Sequence, residues 1–246
     1  MRKILVRGFW GPRRQSAQDC AERWAACLTR LQRTAPELFT TWHSPLDEDE
    51  KDPPALKPDA GSLLAEMARF DEYLEVELGA TKAELGFTLS AWSTAPHGGS
   101  VVFRGTVGSH AEGSEVRNSI TVTMQGEEVA AHGWEVAAGI LTIVAEHWDV
   151  DWGDAGHAQL WARLKEHRSL RPSDLRAGYV TYLSARRWAE APAPQEGTIS
   201  PLGGGALIDL RAEVTRASSD DPVVRLDQTL AASPAFTPVP DDRGTW

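Results

Sequence analysis

Glu146-His147-Trp148-Asp149-Val150-Asp151-Trp152-Gly153 is the stretch on which the reading of this 246-residue chain turns. In an extended backbone, successive side chains point to opposite faces. Trp148, Val150 and Trp152 then make one apolar face, and His147, Asp149 and Asp151 make the other. Two tryptophans and a valine on one side demand a core to bury them. The polar side has three uses open to it: ligating a metal, binding a partner, or facing water.

Outward from that segment, the pattern alternates between helical and extended periods. Upstream, a helix from about Glu128 to Ala145 carries Val129, Val136, Ile140 and Val144 on one side. Before it comes an antiparallel meander of three strands. In the first, Leu85, Phe87, Leu89 and Ala91 alternate with Gly86, Thr88, Ser90 and Trp92. The second is Ser100 to Val107, after the turn-rich Ala95–Gly99. In the third, Asn118 to Met124, Ile120, Val122 and Met124 lie on one face and Thr121 and Thr123 on the other. Downstream follow a helix holding Leu160, Trp161 and Leu164, then a strand at Gly178–Leu183. A loop at Ala191–Pro194 leads to Gly203-Gly204-Gly205, read as a turn before a strand at Ala206–Leu210. The last helix runs from Asp221 to about Ala232.

At the other end, Lys3 to Phe9 alternates as a strand, and Gly11-Pro12 ends it. Ser16 is placed to cap a helix, with Asp19 three residues on. Ala17, Cys20, Ala21, Trp24, Cys27, Leu28 and Leu31 recur at helical spacing, which predicts a helix from about Ala17 to Arg33 that Pro36 stops. A second helix is expected from about Ala60 to Arg69. The fold class is α+β: mixed, mainly antiparallel sheet packed by helices in a single compact unit. We assign residues 1–233 to one domain and 234–246 to a loosely ordered tail.

Composition narrows the function. Hydrophobic residues make up 41% of the chain and there are ten tryptophans, enough for a large core. No stretch approaches the roughly 18 uninterrupted apolar residues of a membrane span. The basic start Met1–Arg7 fails as a signal peptide because Arg7, Gly8 and Pro12 break its apolar run. A soluble, cytoplasmic protein is expected. Cys20 and Cys27 are seven residues apart on one helix, roughly 10 Å, too far for a disulfide. They read as small core residues. The net charge of −10 is uneven: residues 1–36 carry eight basic and two acidic side chains, residues 37–84 thirteen acidic and four basic. That balance argues against direct binding of nucleic acid or anionic membrane, and suits a basic partner or ordinary solubility charge.

Motifs of chemistry are scarce. His147, Asp149 and Asp151 are the one set that suggests a divalent ion, yet collinear residues on one strand rarely converge on a point without ligands from elsewhere. Gly203-Gly204-Gly205 lacks the Lys-Ser/Thr of a phosphate loop. No Gly-x-Ser-x-Gly elbow is present, and His97-Gly98-Gly99-Ser100 reads as a loop. Trp24, Trp148 and Trp152 belong to apolar stripes. Trp42, Trp92 and Trp188 sit at element ends, where partial exposure and an interface role are expected.

Four blocks together resemble the immunity protein 52 family. They are Arg7-Gly8-Phe9-Trp10-Gly11-Pro12-Arg13 with Ser16 and Cys20-Ala21-Glu22-Arg23; Leu85 to Trp92; Trp148 to Gly153; and Gly178 to Ser184. They occur in family order across about residues 3 to 210. The resemblance implies a bacterial immunity protein of a polymorphic-toxin system, without catalysis or cofactor. The implied partner is a contact-delivered toxin with a restriction-endonuclease-like nuclease domain. It carries over no site residue.

From charge, the toxin-facing candidates are Asp47, Glu48, Asp49, Glu50 and Asp52, with Asp71, Glu72, Glu75 and Glu77. Asp149 and Asp151 form a second candidate patch, and Trp42 and Trp92 are candidate anchors. A nuclease presents basic side chains to phosphates, and an acidic surface can compete for them. Two other readings compete: a metal-dependent enzyme centred on His147, Asp149 and Asp151, and a non-catalytic adaptor with no toxin partner.

Overall fold

A computed structural model of the chain describes residues 3–78, 85–95, 99–110, 118–170 and 174–237, with the backbone alone for residues 74–78 and Glu128. The loop around His97 therefore lies outside the described residues. In chain order the elements are β1 (Lys3–Trp10), α1 (Ala17–Thr34), α2 (Ala60–Leu78), β2 (Phe87–Ala95), β3 (Gly99–Val107), β4 (Asn118–Gln125), α3 (Glu127–Trp148) and β5 (Trp152–Gly156). There follow α4 (Ala158–His167), β6 (Val180–Leu183), α5 (Ala185–Glu190), β7 (Thr198–Leu202), β8 (Gly205–Asp209), α6 (Arg211–Ala217) and α7 (Asp221–Ala231). The strands form one sheet in the order β2-β3-β4-β1-β5-β6-β8-β7, and every neighbouring pair is antiparallel. The α+β class and its compactness are as the alternating periods predict.

The two faces of the sheet are covered differently. On the first, Ile4, Val6 and Trp10 of β1 and Ile120, Val122 and Met124 of β4 meet α1 and α3 in one large core. Ser16 caps α1 as expected: its hydroxyl oxygen accepts from the Asp19 backbone N–H at 3.1 Å and donates to the Asp19 carboxylate at 2.6 Å. The apolar stripe of α1 is then buried, and burial pushes the Cys20 and Cys27 thiols up to about 12. Trp10 stacks on Trp148 at 5.9 Å and Trp24 on Phe103 at 6.3 Å. Gly8 allows a close approach here, since a Cβ on it would stand 2.7 Å from a Val150 methyl and 2.8 Å from one of Val144. Helix α3 is long and apolar enough from Val129 to Trp148 to cross a bilayer, yet it lies against this sheet face and α1.

On the second face a separate core joins Trp152, Leu183 and Ile208 to Leu160 and Leu164 of α4 and to Val223 and Leu230 of α7. It covers β5, β6 and β8. Among the described residues no helix lies over the centre of the same face of β2, β3 and β4.

The decisive stretch folds differently from the strand that alternation suggests. Helix α3 runs on to Trp148, Asp149 caps it in the left-handed region at φ +48°, and strand β5 begins only at Trp152. Trp148, Val150 and Trp152 are all buried, as their chemistry demands, but not on one face. Trp148 and Val150 enter the first core and Trp152 the second. The spacing Ile140, Val144, Trp148 continues the helical stripe, and four-residue helical spacing and two-residue strand spacing coincide at these positions.

Other boundaries also shift. Helix α2 continues past Arg69 through the acidic stretch to Leu78. The Gly203–Gly204 turn is a two-residue hairpin loop with φ +57° and +79°, a geometry that favours glycine. It joins β8 to an edge strand, β7, that the sequence pattern did not reveal. Residues 234–237, placed in the tail above, are held: Ala235 and Phe236 are buried, and Arg187 donates to the carbonyl oxygens of Ala235 and Thr237.

Candidate functional site

Register lines up the side chains of the second face in rows, because directly opposed residues of antiparallel strands point the same way. The central row reads Ser90 (β2), Arg104 (β3), Thr121 (β4), Arg7 (β1), Asp154 (β5). The row above it reads Thr88, Thr106, Ser119, Phe9, Trp152. At β1 this face closes. Arg7 donates from Nε to the Asp154 carboxylate at 2.8 Å, and the Trp161 ring of α4 lies 3.9 Å from its guanidinium carbon. Phe9 stacks on Trp152 at 4.7 Å.

Beyond β1 the face is a groove of about 490 Å³. Its floor is Ser90, Arg104, Thr106, Ser119 and Thr121, and its wall is Leu46, Glu48, Phe70 and Tyr73. Helix α2 supplies Phe70, which is buried, and Tyr73, which is 51% exposed. Among the described residues Arg104 has no ion-pair or hydrogen-bond partner. The hydroxyl oxygen of Ser90 is buried and likewise has none. The groove thus brings a buried hydroxyl without a partner and an exposed guanidinium that no protein group holds into one concavity.

The acidic loop forms the rim. Asp47, a toxin-facing candidate, is turned inward: Arg69 donates to its carboxylate at 2.6 and 3.2 Å and to Glu66 at 2.9 Å. Glu66 is itself buried and accepts from the Ser44 hydroxyl. This pinning leaves Glu48, Asp49, Glu50 and Asp52 exposed beside the groove, with Glu72 exposed on α2. Asp71 is half-buried, and desolvation raises its pKa. The side chains of Glu75 and Glu77 lie outside the described residues.

The tryptophan candidates divide. Trp42 is buried against Phe39, contrary to the partial exposure expected at an element end. The chain folds back there so that His43 bridges to Trp92 of β2, which closes the element end over. Trp92 is half-buried, stacks on His43 and donates its indole N–H to the Ser44 carbonyl oxygen.

His147, Asp149 and Asp151 do not share a face, because the backbone between them is a helix end. His147 is half-buried on α3, where burial and the nearby Arg30 lower its pKa. Asp149 is exposed between Arg13 and Arg23, each at 2.9 Å. Asp151 is fully buried, accepting from Arg187 Nε at 2.6 Å and the Ser184 hydroxyl at 3.0 Å. Asp151 is an internal strut that a partner cannot reach. Among the described residues no three histidine, cysteine, aspartate or glutamate side chains gather to hold a metal.

The sequence matches the family model of immunity protein 52 over residues 4–230. The chain belongs to the immunity protein 52 family. The match contains all four blocks that carry the resemblance, and it runs through both the acidic rim and the groove strands. No curated protein matches the sequence. Among solved structures, the Pseudomonas aeruginosa T6SS protein PA0821 is similar at a TM-score of 0.52 and 14% identity, covering 96% of this family member and 77% of that chain. That likeness concerns the fold. Arg104 and Ser90 escaped the sequence reading, although the signal existed: an arginine at mid-strand on the polar side, opposite a strand whose polar side is threonine.

Proposed function

We propose that this immunity protein binds and neutralises a cognate contact-delivered toxin by stoichiometric protein–protein contact in the cytoplasm. It performs no chemistry of its own. The finer reading is that the toxin domain is a nuclease of restriction-endonuclease-like fold. The observation that carries the proposal is the family match over residues 4–230. The likeness in fold to a T6SS protein of Pseudomonas aeruginosa is in keeping with that reading.

The mode of binding follows from charge. Glu48, Asp49, Glu50 and Asp52 stand exposed on a loop that Arg69 anchors through Asp47, so their field is displayed from a fixed platform. A nuclease surface rich in lysine and arginine would be drawn to it, and steering of this kind acts mainly on the association rate.

The test is co-expression with the cognate toxin domain, reading survival together with affinity. Rescue with nanomolar binding is expected. Toxicity without a complex would overturn the assignment. Reversing Glu48, Asp49 and Glu50 to lysine should slow association about tenfold at low salt and flatten its salt dependence. An unchanged rate and slope would remove the acidic rim from the interface.

A further inference from the structure

The groove beside the acidic rim carries the opposite charge at its centre, and the proposal above leaves that unexplained. Arg104 points out of the middle of β3 with hydroxyl side chains in register on both sides, Ser90 and Thr121. Among the described residues nothing pairs with it. An arginine with no acceptor is ordinary on an open surface, where water serves it. Here it lines a concavity that also holds a buried serine hydroxyl lacking any hydrogen-bond partner. Leaving a buried polar atom unpaired costs about 1–3 kcal/mol, so an exposed guanidinium that no protein group holds and one buried, unpaired hydroxyl border the same space.

From this we infer that the groove receives a carboxylate side chain of the toxin, held by Arg104 with the Ser90 hydroxyl donating beside it. The inference rests on the immunity reading and names the second half of its interface. A guanidinium fork fits a carboxylate with two parallel hydrogen bonds, and arginine and exposed aromatics are enriched where interfaces concentrate their energy. Tyr73, 51% exposed on the wall, is such an aromatic. The rim decides what kind of anion enters. Glu48 on the wall, with Asp49, Glu50 and Asp52 outside it, repels a polyanion such as nucleic acid. A single carboxylate on a protein whose surroundings are basic is admitted, because those surroundings meet the rim. The contact is thus two-signed: acid rim to basic surface, Arg104 to an acid within it.

Three variants test it against the co-expressed toxin domain. Arg104→Ala should weaken binding 10- to 100-fold through faster dissociation, with melting unchanged because the side chain holds nothing in the fold. Arg104→Lys should recover only part, having lost the fork. Ser90→Ala should weaken binding several-fold while leaving stability intact or slightly raised. Arg104→Ala binding within twofold of the native chain would overturn the inference and leave the immunity reading standing.

If the native chain fails to bind the toxin at all, the immunity reading falls, and a second measurement decides the groove by itself. The full chain is titrated with an acetylated Lys-Lys-Glu-Lys-Lys amide peptide, its glutamine counterpart and inorganic phosphate, following the Arg104 Nε–H resonance. A saturable shift with the glutamate peptide alone supports a carboxylate site. No shift, or a shift with phosphate alone, overturns it.

Discussion

Arg7 and Arg104 stand in the same row of the same sheet face, two strands and about 10 Å apart. The protein treats them in opposite ways. Arg7 meets Asp154 on the next strand and lies under Trp161, closed in by α4. Arg104 meets hydroxyls on both sides, and among the described residues no helix lies above it. The difference lies in what register places beside each arginine. A carboxylate on the neighbouring strand turns a cation into internal structure, and its absence leaves the cation for something outside the chain. Elsewhere in the closed half helices supply a partner: Arg187 of α5 pairs with Asp151 just before β5, and Asp227 of α7 pairs with Arg168 just after α4. The open half leaves Arg104 to the second outcome.

That contrast predicts a gradient of consequences. Arg7→Ala and Arg187→Ala each remove the closest cation from a fully buried carboxylate, Asp154 or Asp151. Each should cost about 3–5 kcal/mol in urea unfolding, whereas Arg104→Ala should stay within about 0.5 kcal/mol. Equal losses at Arg7 and Arg104 would break the comparison.

Converting the open half into the closed kind is the next test. Thr121→Asp sets a carboxylate in register beside Arg104. Toxin affinity should fall about 10- to 100-fold, or 1.4–2.8 kcal/mol, with stability nearly unchanged. Undiminished binding would show that Arg104 is not a contact.

Arg69 is the intermediate case, an arginine 47% exposed whose partner Asp47 is nearly buried. Asp47→Ala should cost about 1 kcal/mol by unfolding. It should also lower the association rate by freeing the rim loop.

The smallest effect belongs to an exposed pair. Glu37 hydrogen-bonds His132 and raises the imidazole pKa above its ordinary 6.5. A raised folded-state pKa contributes stability that is complete below 6.5 and is lost as pH rises through the folded value. His132→Gln should erase a slight downward slope of melting temperature above pH 6.5. Both side chains are well exposed, so added salt should shrink the slope in the native chain too.

How much of this was legible in the sequence depended on whether one physical signal acted alone. β1, β3, β4 and α1 were readable because a single face of each is buried and the period is unmixed. At Trp148 two periods agreed, and the helix extended through the ambiguity. β7 shows no alternation because it is an edge strand exposed along most of its length, with Pro201 within it. The acidic loop was visible as composition, and four of its five candidate acids are exposed. The inward turn of Asp47 was not visible, because it depends on Arg69, 22 residues away on another element. Arg104 was hidden for the same reason. Its mid-strand position on the polar side was legible, but its significance comes from what lies beside it on neighbouring strands, which register supplies.

The central claim is neutralisation by stoichiometric binding. Its most direct test is to titrate the activity of the cognate toxin domain with the purified chain. The account predicts a linear fall to zero at one immunity protein per toxin, with the Arg104→Ala endpoint blurred by weaker binding. Full toxin activity in a tenfold molar excess of the native chain would contradict it.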